Sequence, residues 1–290
     1  MYEEIETTKS QTRSAGDTGI ASNDMYRMSR DFCDDFRTRW RSANSHRMLH
    51  ALLYLTCRKL PTWSSDVWQV QEGYRAECML LRRILGLESR NSNRDLRAGV
   101  AELVDVEIFN HLHLVHDNSW LCWRFKDEVL SWILSGHSYG LMDARALIKL
   151  RDATDFQMYN HVSVARRTWK AKCVLSVADI GIWMQKADPR WPDIRDGFIK
   201  ALKLSCAQYD LSACVLLECH GHLRGIDTIE IRLRRVGGGW GLSELATCHT
   251  FTRRCLLVDG THQKGVVCKE LPVAVRALQK AQWRVEGLLL

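Results

Sequence analysis

The chain has 290 residues, of which 46% are hydrophobic and 26% are charged, and its formal net charge is +7. This length can bury a substantial core and suggests about two domains. No run approaches the roughly 18 apolar residues that span a membrane, and residues 1–16 lack the apolar core of a secretory signal. We therefore expect a cytoplasmic protein with no membrane partner.

Eleven cysteines are scattered along the chain without CxxC pairs. Cys57, Cys78, Cys206 and Cys214 fall in apolar phase, which predicts buried thiols rather than a disulfide framework. Most of the positive excess lies beyond residue 145. Such an excess suggests a polyanionic partner, of which nucleic acid is one kind.

The N-terminal segment 1–45 is expected to be disordered or arm-like. Its first 24 residues are polar and low in apolar content. Met25–Arg41 then places large apolar residues near helical phase, which predicts an amphipathic helix that packs on the body or on a second copy.

Residues 46–125 carry three helical patterns followed by two strand-like runs. The helices are predicted over His46–Lys59, Tyr74–Leu85 and Arg94–Val104, each ending near a proline, a glycine or a break in the apolar period. The runs VEIFNHLHLV and WLCWRF alternate like strands and are separated by a turn at His116–Ser119. This order is that of a winged helix.

After connecting helices in 126–153, residues 154–235 repeat the same order. The predicted elements are helices over Asp155–Arg167 and Val177–Gln185, a third helix that begins at Pro192, and strands over Ala213–Glu218 and Thr228–Leu233. The sequence therefore predicts an α+β, mostly helical chain with two tandem winged-helix domains.

Residues 236–290 form a small C-terminal extension in this interpretation. Three glycines at 237–239 mark a break, FTRRCLLVD reads as a strand, and Pro272–Glu286 has helical phase. The helix carries a basic row that we interpret as a solvated face.

Several fragments of the two predicted domains resemble one known family. They are ILGLESR, TDFQMYNHVSVARR, SVADIGIWM, WPDIRDGFIKAL and IEIRLRR, and together they resemble iteron-binding plasmid replication initiators. The resemblance implies a protein that binds repeated double-stranded DNA at an origin and helps to open it. It also implies partners among host initiation factors and the replicative helicase, and a dimer that represses while monomers initiate.

The predicted contacts to DNA come from the third helix and the wing of each domain. Arg232 and Arg234 alternate with Ile231 and Leu233, so the two guanidinium groups share one strand face. The predicted DNA-binding residues are Arg90, Asn93, Arg94, Arg97, Arg195, Lys200, Lys203, Arg224, Arg232, Arg234 and Arg235. Because Asp193 and Asp196 in the first turn of the second domain's third helix would repel phosphate, we expect the wing from Arg224 to Arg235 to be the firmer contact.

Two alternatives stay open beside an initiator. One is a transcriptional regulator with the same tandem body. The other is a nicking endonuclease in which His111 and His113 hold a divalent ion on one strand face, although no tyrosine has a lysine at the spacing that such enzymes use.

The remaining motifs predict neither an enzyme nor a cofactor. Phosphate loops of the P-loop type, a dinucleotide fingerprint and GxSxG are missing from the sequence. Two His and Cys groups lack paired zinc knuckles, so we predict no metal site; they are Cys214, Cys219, His220 and His222, and Cys248, His249, Cys255, His262 and Cys268. We assign six tryptophans mostly to the core: Trp120, Trp123, Trp132, Trp169, Trp183 and Trp191.

Overall fold

A computed structural model describes residues 3–4, 25–35, 42–59, 73–87, 93–115, 117–134, 139–218, 225–236, 252–259 and 269–270. The chain divides into two compact units, Met1–Phe156 and Gln157–Leu290. Both combine helices with sheets, so the α+β prediction is confirmed. Within the described part of the chain, we find no helix with the length and apolarity needed to cross a bilayer.

The first unit contains six strands, five α-helices and a short 3-10 helix among its described residues. In chain order they are β1 (Glu3–Glu4), β2 (Met25–Ser29), α1 (Arg30–Asp34), α2 (Ala43–Lys59), β3 (Tyr74–Glu77), α3 (Cys78–Ile84), α4 (Arg94–Val104), β4 (Phe109–Val115), β5 (Trp120–Phe125), α5 (Asp127–Leu134), β6 (Tyr139–Asp143) and the 3-10 helix Ala144–Ile148.

The main sheet of this unit has the strand order β1–β3–β5–β4, antiparallel except for β1 beside β3. The predicted turn between β4 and β5 is confirmed at Asp117 (φ 53°) and Asn118 (φ 66°). Two consecutive positive φ values form a hairpin turn that matches the strand twist, and Asp and Asn tolerate them well. Trp123 on β5 is fully buried and donates from Nε1 to Thr56 Oγ1 of α2 at 3.0 Å, which joins the sheet to the helices.

Helix α4 has the predicted bounds, and its predicted inner residues Leu96, Val100 and Leu103 are buried. The prediction of one helix over Tyr74–Leu85 is wrong at its first turn, because Tyr74–Glu77 is the strand β3. The extended conformation is more stable than a helix at these residues because β3 gains hydrogen bonds from β5 at the centre of the sheet.

The N-terminal arm also differs from its prediction. Met25–Ser29 is strand β2 rather than helix and pairs antiparallel with β6, and among the described residues of Met25–Arg41 only Arg30–Asp34 is helical. Tyr26 and Met28 are buried on this strand. The Tyr26 hydroxyl lies 2.6 Å from Nδ1 of the buried His50 on α2, so the arm packs into the core of the first unit.

The second unit contains three α-helices and five strands among its described residues. Helix α6 (Ala153–Ala165) spans the boundary between the units; β7 (Lys172–Ser176), α7 (Val177–Trp183), α8 (Trp191–Gln208), β8 (Leu211–Glu218), β9 (Thr228–Arg235), β10 (Thr252–Asp259) and β11 (Lys269–Glu270) follow.

The second unit's sheet has the order β11–β10–β8–β9–β7. One apolar core joins this sheet to the helices, and the predicted stripe of α8 faces it. The predicted stripe residues are all buried: Ile194, Phe198, Ala201, Leu202 and Cys206. The predicted cap Ser176 accepts a hydrogen bond at Oγ from the Asp179 amide at 2.9 Å.

The two units share one order of elements and one pattern of strand pairing. The order α2, β3, α3, α4, β4, β5 of the first unit corresponds to α6, β7, α7, α8, β8, β9 of the second. In each, the first strand pairs with the third, and the third pairs with the second. The repeat is therefore closer than the sequence pattern predicts, because it includes a short first strand that the pattern does not reveal.

The strand predicted in the C-terminal extension exists as β10, and it extends the sheet of the second unit by pairing with β8. Val258 on β10 is buried in that unit's core. The predicted helix Pro272–Glu286 lies outside the described residues.

The described cysteine thiols are not joined in disulfides. Cys78, Cys206 and Cys214 are buried as predicted, whereas Cys57 is half-buried. Burial raises the pKa of Cys57 and of Cys78 to about 11, which keeps both as neutral thiols at neutral pH.

Candidate nucleic-acid interface

Helix α4 has an exposed face on which two arginines lie beside small side chains. Arg94, Arg97, Ala98 and Ala101 are all exposed and recur at helical spacing. On the opposite side, a Cβ added at Gly99 would meet the Asn44 carbonyl oxygen at 2.9 Å. Close packing of α4 against α2 thus holds the face in place, and its two alanines leave room for another surface to approach the arginines.

Glu102, one of the two acidic residues of α4, forms hydrogen bonds within the protein. Glu102 accepts hydrogen bonds from Ser42 Oγ at 2.6 and 2.7 Å and from the Ser42 amide at 3.2 Å. Ser42 directly precedes α2, so its contacts with Glu102 join α4 to the start of α2. The Glu102 charge is therefore directed to α2 and away from Arg94 and Arg97.

Asn93, a predicted DNA contact, is half-buried at the start of α4 and links that helix to the hairpin. Its Nδ2 donates to the Asn118 carbonyl at 2.6 Å, and its side chain makes no cap hydrogen bond to α4. Asn93 therefore positions the β4–β5 turn relative to α4, a role that the sequence pattern did not reveal.

A tight connection between α7 and α8 sets the position of α8. A Cβ added at the buried Gly181 would lie 2.0 Å from Pro189 Cγ, so this glycine allows the connection to fold back on α7. Gln185 (φ 55°) and Asp188 (φ 45°) complete the turn with left-handed backbone.

The exposed face of α8 carries charges of both signs. Arg195 pairs with Asp196 at 2.9 Å, and Arg190 pairs with Asp193 at 3.4 Å. The Arg190 amide donates to Asp193 Oδ2 at 3.1 Å, and this hydrogen bond lowers the pKa of Asp193. Each of the two aspartates that we expected to repel phosphate thus forms an ion pair with a nearby arginine. Asp193 also caps the helix.

The other predicted contacts on α8 differ in exposure. Lys200 is exposed and Lys203 is half-buried. Both lysines follow the first turns of α8, where the two ion pairs lie.

On β9, the predicted alternation is confirmed: Ile231 and Leu233 are buried, while Arg232 and Arg234 are half-buried on the other face. Glu230, which the sequence analysis left unassigned, shares that face. It accepts from Arg232 Nε at 2.6 Å and from Lys172 Nζ at 3.0 Å. Burial acts to raise the pKa of Glu230, but these hydrogen bonds outweigh it and lower the pKa.

Arg235, the last residue of the predicted wing from Arg224 to Arg235, lies at the end of the hairpin away from the connection between β8 and β9. Thr228 pairs with Glu218 beside the connection between the strands, whereas Arg235 pairs with Leu211 at the other end of the hairpin. Seven residues of strand separate these ends by about 23 Å. Arg235 is exposed there; Arg224 and Arg90 lie outside the described residues.

His111 and His113 share a strand face as predicted, with ring centroids 5.5 Å apart. His111 packs against Gly73, where an added Cβ would meet Nε2 at 2.8 Å. Burial, with the nearby His113 and Arg124, lowers the pKa of His111. The described residues contain no cluster of three or more His, Cys, Asp or Glu side chains suited to a metal ion; most members of the two His and Cys groups lie outside them.

The tryptophans follow the core prediction with one clear exception. Trp123, Trp183 and Trp191 are buried, and Trp120 is half-buried beneath the Arg75 guanidinium, 4.5 Å from its ring centroid. Trp169 is 96% exposed, so its assignment to the core is wrong. Its setting between two arginines and a lysine in ARRTWKAK is the signal that could have found it.

Comparison with known proteins shows a likeness to solved structures. No family model matches the chain, and no curated protein matches it. A solved structure described as the crystal structure of Pi initiator protein in complex with iteron DNA is similar with a TM-score of 0.56 and 12% sequence identity, and the match covers 76% of this chain and 100% of that chain. At this low sequence identity, the likeness concerns the fold alone.

Proposed function

We propose that this protein is a sequence-specific, double-stranded DNA-binding replication initiator that binds repeated sites at an origin and promotes its opening. In this proposal both units are winged-helix domains. The protein acts by binding, without a catalytic site or cofactor.

The observation that carries the proposal is the repeated unit with an exposed helix in the same position. Helices α4 and α8 each follow a short helix and precede a two-stranded hairpin, which is the placement of a helix that reads a major groove. The Pi initiator, bound to iteron DNA in its structure, is similar over 76% of the chain. This likeness supports the choice of origin repeats as the target.

In the proposed mechanism, α4 and α8 enter successive major grooves and the arginines of each unit contact phosphates. Arg94 and Arg97 contribute from α4, and Arg195 and Lys200 from α8. Phosphate contacts fix the register of the protein, while deformation of the bound duplex stores strain that favours opening of an adjacent AT-rich segment. Host initiation factors, the replicative helicase and a repressing dimer belong to this proposal.

The test is selection of bound duplexes from a random pool of roughly 40 base pairs, about four helical turns, with the full chain. An initiator should recover directly repeated sites and bind them with steep salt dependence. Loss of detectable binding at about 100 mM salt would contradict the proposal.

The same selection separates the alternatives. Recovery of a single palindrome would favour a transcriptional regulator with the same body. A nicking enzyme should instead cut single-stranded origin DNA with Mn²⁺ and lose that activity in His111→Ala.

A further inference from the structure

Trp169 stands at the tip of a rigid turn directly after α6. The Thr168 amide donates to the Ala165 carbonyl, and the Ala171 amide donates to the Thr168 carbonyl, both at 3.0 Å. The Thr168 hydroxyl adds a third bond, 2.8 Å, to Ala165. These bonds fix the backbone on both sides of an indole that is 96% exposed.

The turn lies against the far end of the β8–β9 hairpin. The Leu233 amide donates to the Ala171 carbonyl at 2.8 Å, and the Val236 amide donates to the Asp210 carbonyl at 2.9 Å. The turn and the end of β9 therefore both bring exposed cations to this end of the second unit. The turn contributes Arg167 and Lys170, and β9 contributes Arg235.

Tyr209, which precedes Asp210 at this end of the second unit, already has its ring in contact with other side chains. Tyr209 stacks on Tyr159 with ring centroids 5.2 Å apart, and the Arg166 guanidinium covers the Tyr209 ring at 3.9 Å. Trp169, by contrast, leaves its indole exposed. Single-stranded nucleic acid is bound by successive stacking platforms along a groove, whereas a single exposed indole suits a pocket better.

We propose that the Trp169 turn docks into a partner protein that offers an apolar pocket with an acidic rim. An indole buries roughly 150–250 Å² when it enters such a pocket, and tryptophan with surrounding arginine is typical of the residues that dominate binding energy. The cations Arg167, Lys170 and Arg235 complement carboxylates at the rim and steer the approach. Trp169 and these cations belong to neither α4 nor α8, so the docking proposal does not require the DNA-binding proposal.

The test uses random displayed peptides, selected on the immobilised full chain in the presence of excess duplex DNA. We expect enriched peptides to combine acidic and apolar residues. Their affinity should fall at least about 30-fold in Trp169→Ala, the level of a binding hot spot, and should stay within a few-fold in Trp169→Phe. Lys170→Ala with Arg235→Ala should weaken binding more at low salt than at high salt.

Because Trp169 is almost fully exposed, Trp169→Ala should keep the wild-type melting temperature and the affinity for selected duplexes. Loss of duplex binding by the wild-type chain would contradict the DNA proposal and leave the docking test intact. The docking proposal is overturned if no peptide is enriched, if enriched peptides bind Trp169→Ala equally, or if the labelled probe oligo(dT) binds in a Trp169-dependent way.

Discussion

Arg232 and Glu230 lie two residues apart on β9 and are joined by a 2.6 Å hydrogen bond from Nε to Oε1. Lys172 on β7 holds the other carboxylate oxygen, so Glu230 bridges two strands. The guanidinium that sequence alternation assigns to DNA is thus already engaged within the protein. Its removal should affect folding as well as binding.

We expect Arg232→Ala and Glu230→Gln each to lower the free energy of unfolding by about 1.5–3 kcal/mol, the range for charged hydrogen bonds. Because the two side chains act on each other, the double variant should lose less than the sum of the two changes. Denaturant titration of the three variants measures this coupling. Additive losses would contradict a direct pair, and Arg235→Ala serves as an exposed control.

Acidification should destabilise the first unit through His50. Burial, with the nearby His46, lowers the pKa of His50 from 6.5 to about 3, so between these values the unfolded chain binds the additional proton. Stability is complete above pH 6.5 and declines as the pH falls toward 3, by about 2 kcal/mol between pH 7.5 and pH 5.

Denaturant titrations at both pH values check this decline. In His50→Gln the pH-dependent loss should shrink by about that amount, and a loss that keeps its wild-type size in this variant would contradict the role of His50. Tyr26→Phe should lower stability at neutral pH by about 1–3 kcal/mol, since it removes the hydroxyl beside the buried His50 Nδ1.

The two aspartates in the first turn of α8 should behave differently when replaced. Asp193→Ala removes the acceptor of the Arg190 amide and should lower the melting temperature. Asp196→Ala removes a surface ion pair with Arg195 and should leave the melting temperature nearly unchanged. Because the pKa of Asp193 is lowered, its stabilising effect is present above the unfolded pKa and is lost as the pH falls through the folded value. Equal melting temperatures of the two variants at neutral pH would contradict the cap.

Gly181 and Gly197 provide a matched pair on either side of the α7–α8 connection. Gly181→Ala drives a methyl group into the Pro189 ring, and we expect a loss of about 1–3 kcal/mol together with weaker duplex binding. At Gly197 the added Cβ meets the flexible end of Met184, so Gly197→Ala should change stability by less than about 1 kcal/mol. Thermal unfolding and duplex titration compare the two variants.

Arg94 and Arg97 of α4 should each contribute more to the salt dependence of DNA binding than Arg195 of α8. Arg94→Ala with Arg97→Ala should reduce the slope of log affinity against log salt by nearly 2, about 0.9 for each lost phosphate contact. Arg195→Ala should reduce the slope by less than either arginine substitution on α4 alone, because Asp196 already pairs with Arg195. Duplex titrations at several salt concentrations measure the slopes, and the reverse order would contradict this ranking.

The sequence by itself determined most of the helices and the long strands, because each of these elements has its own apolar period. The stripes of α4 and α8, the alternation of β9 and the turn at Asp117–Asn118 are local patterns that survive in the structure. The α+β class and the repeated order follow from those patterns.

Only the tertiary structure decided features that depend on residues far apart in the chain. Tyr74–Glu77 becomes a strand because β5 supplies its hydrogen bonds, and Arg232 is engaged because strand register brings Lys172 and Glu230 together. Pairing partners and register are set by the whole fold, so no local period could have revealed them.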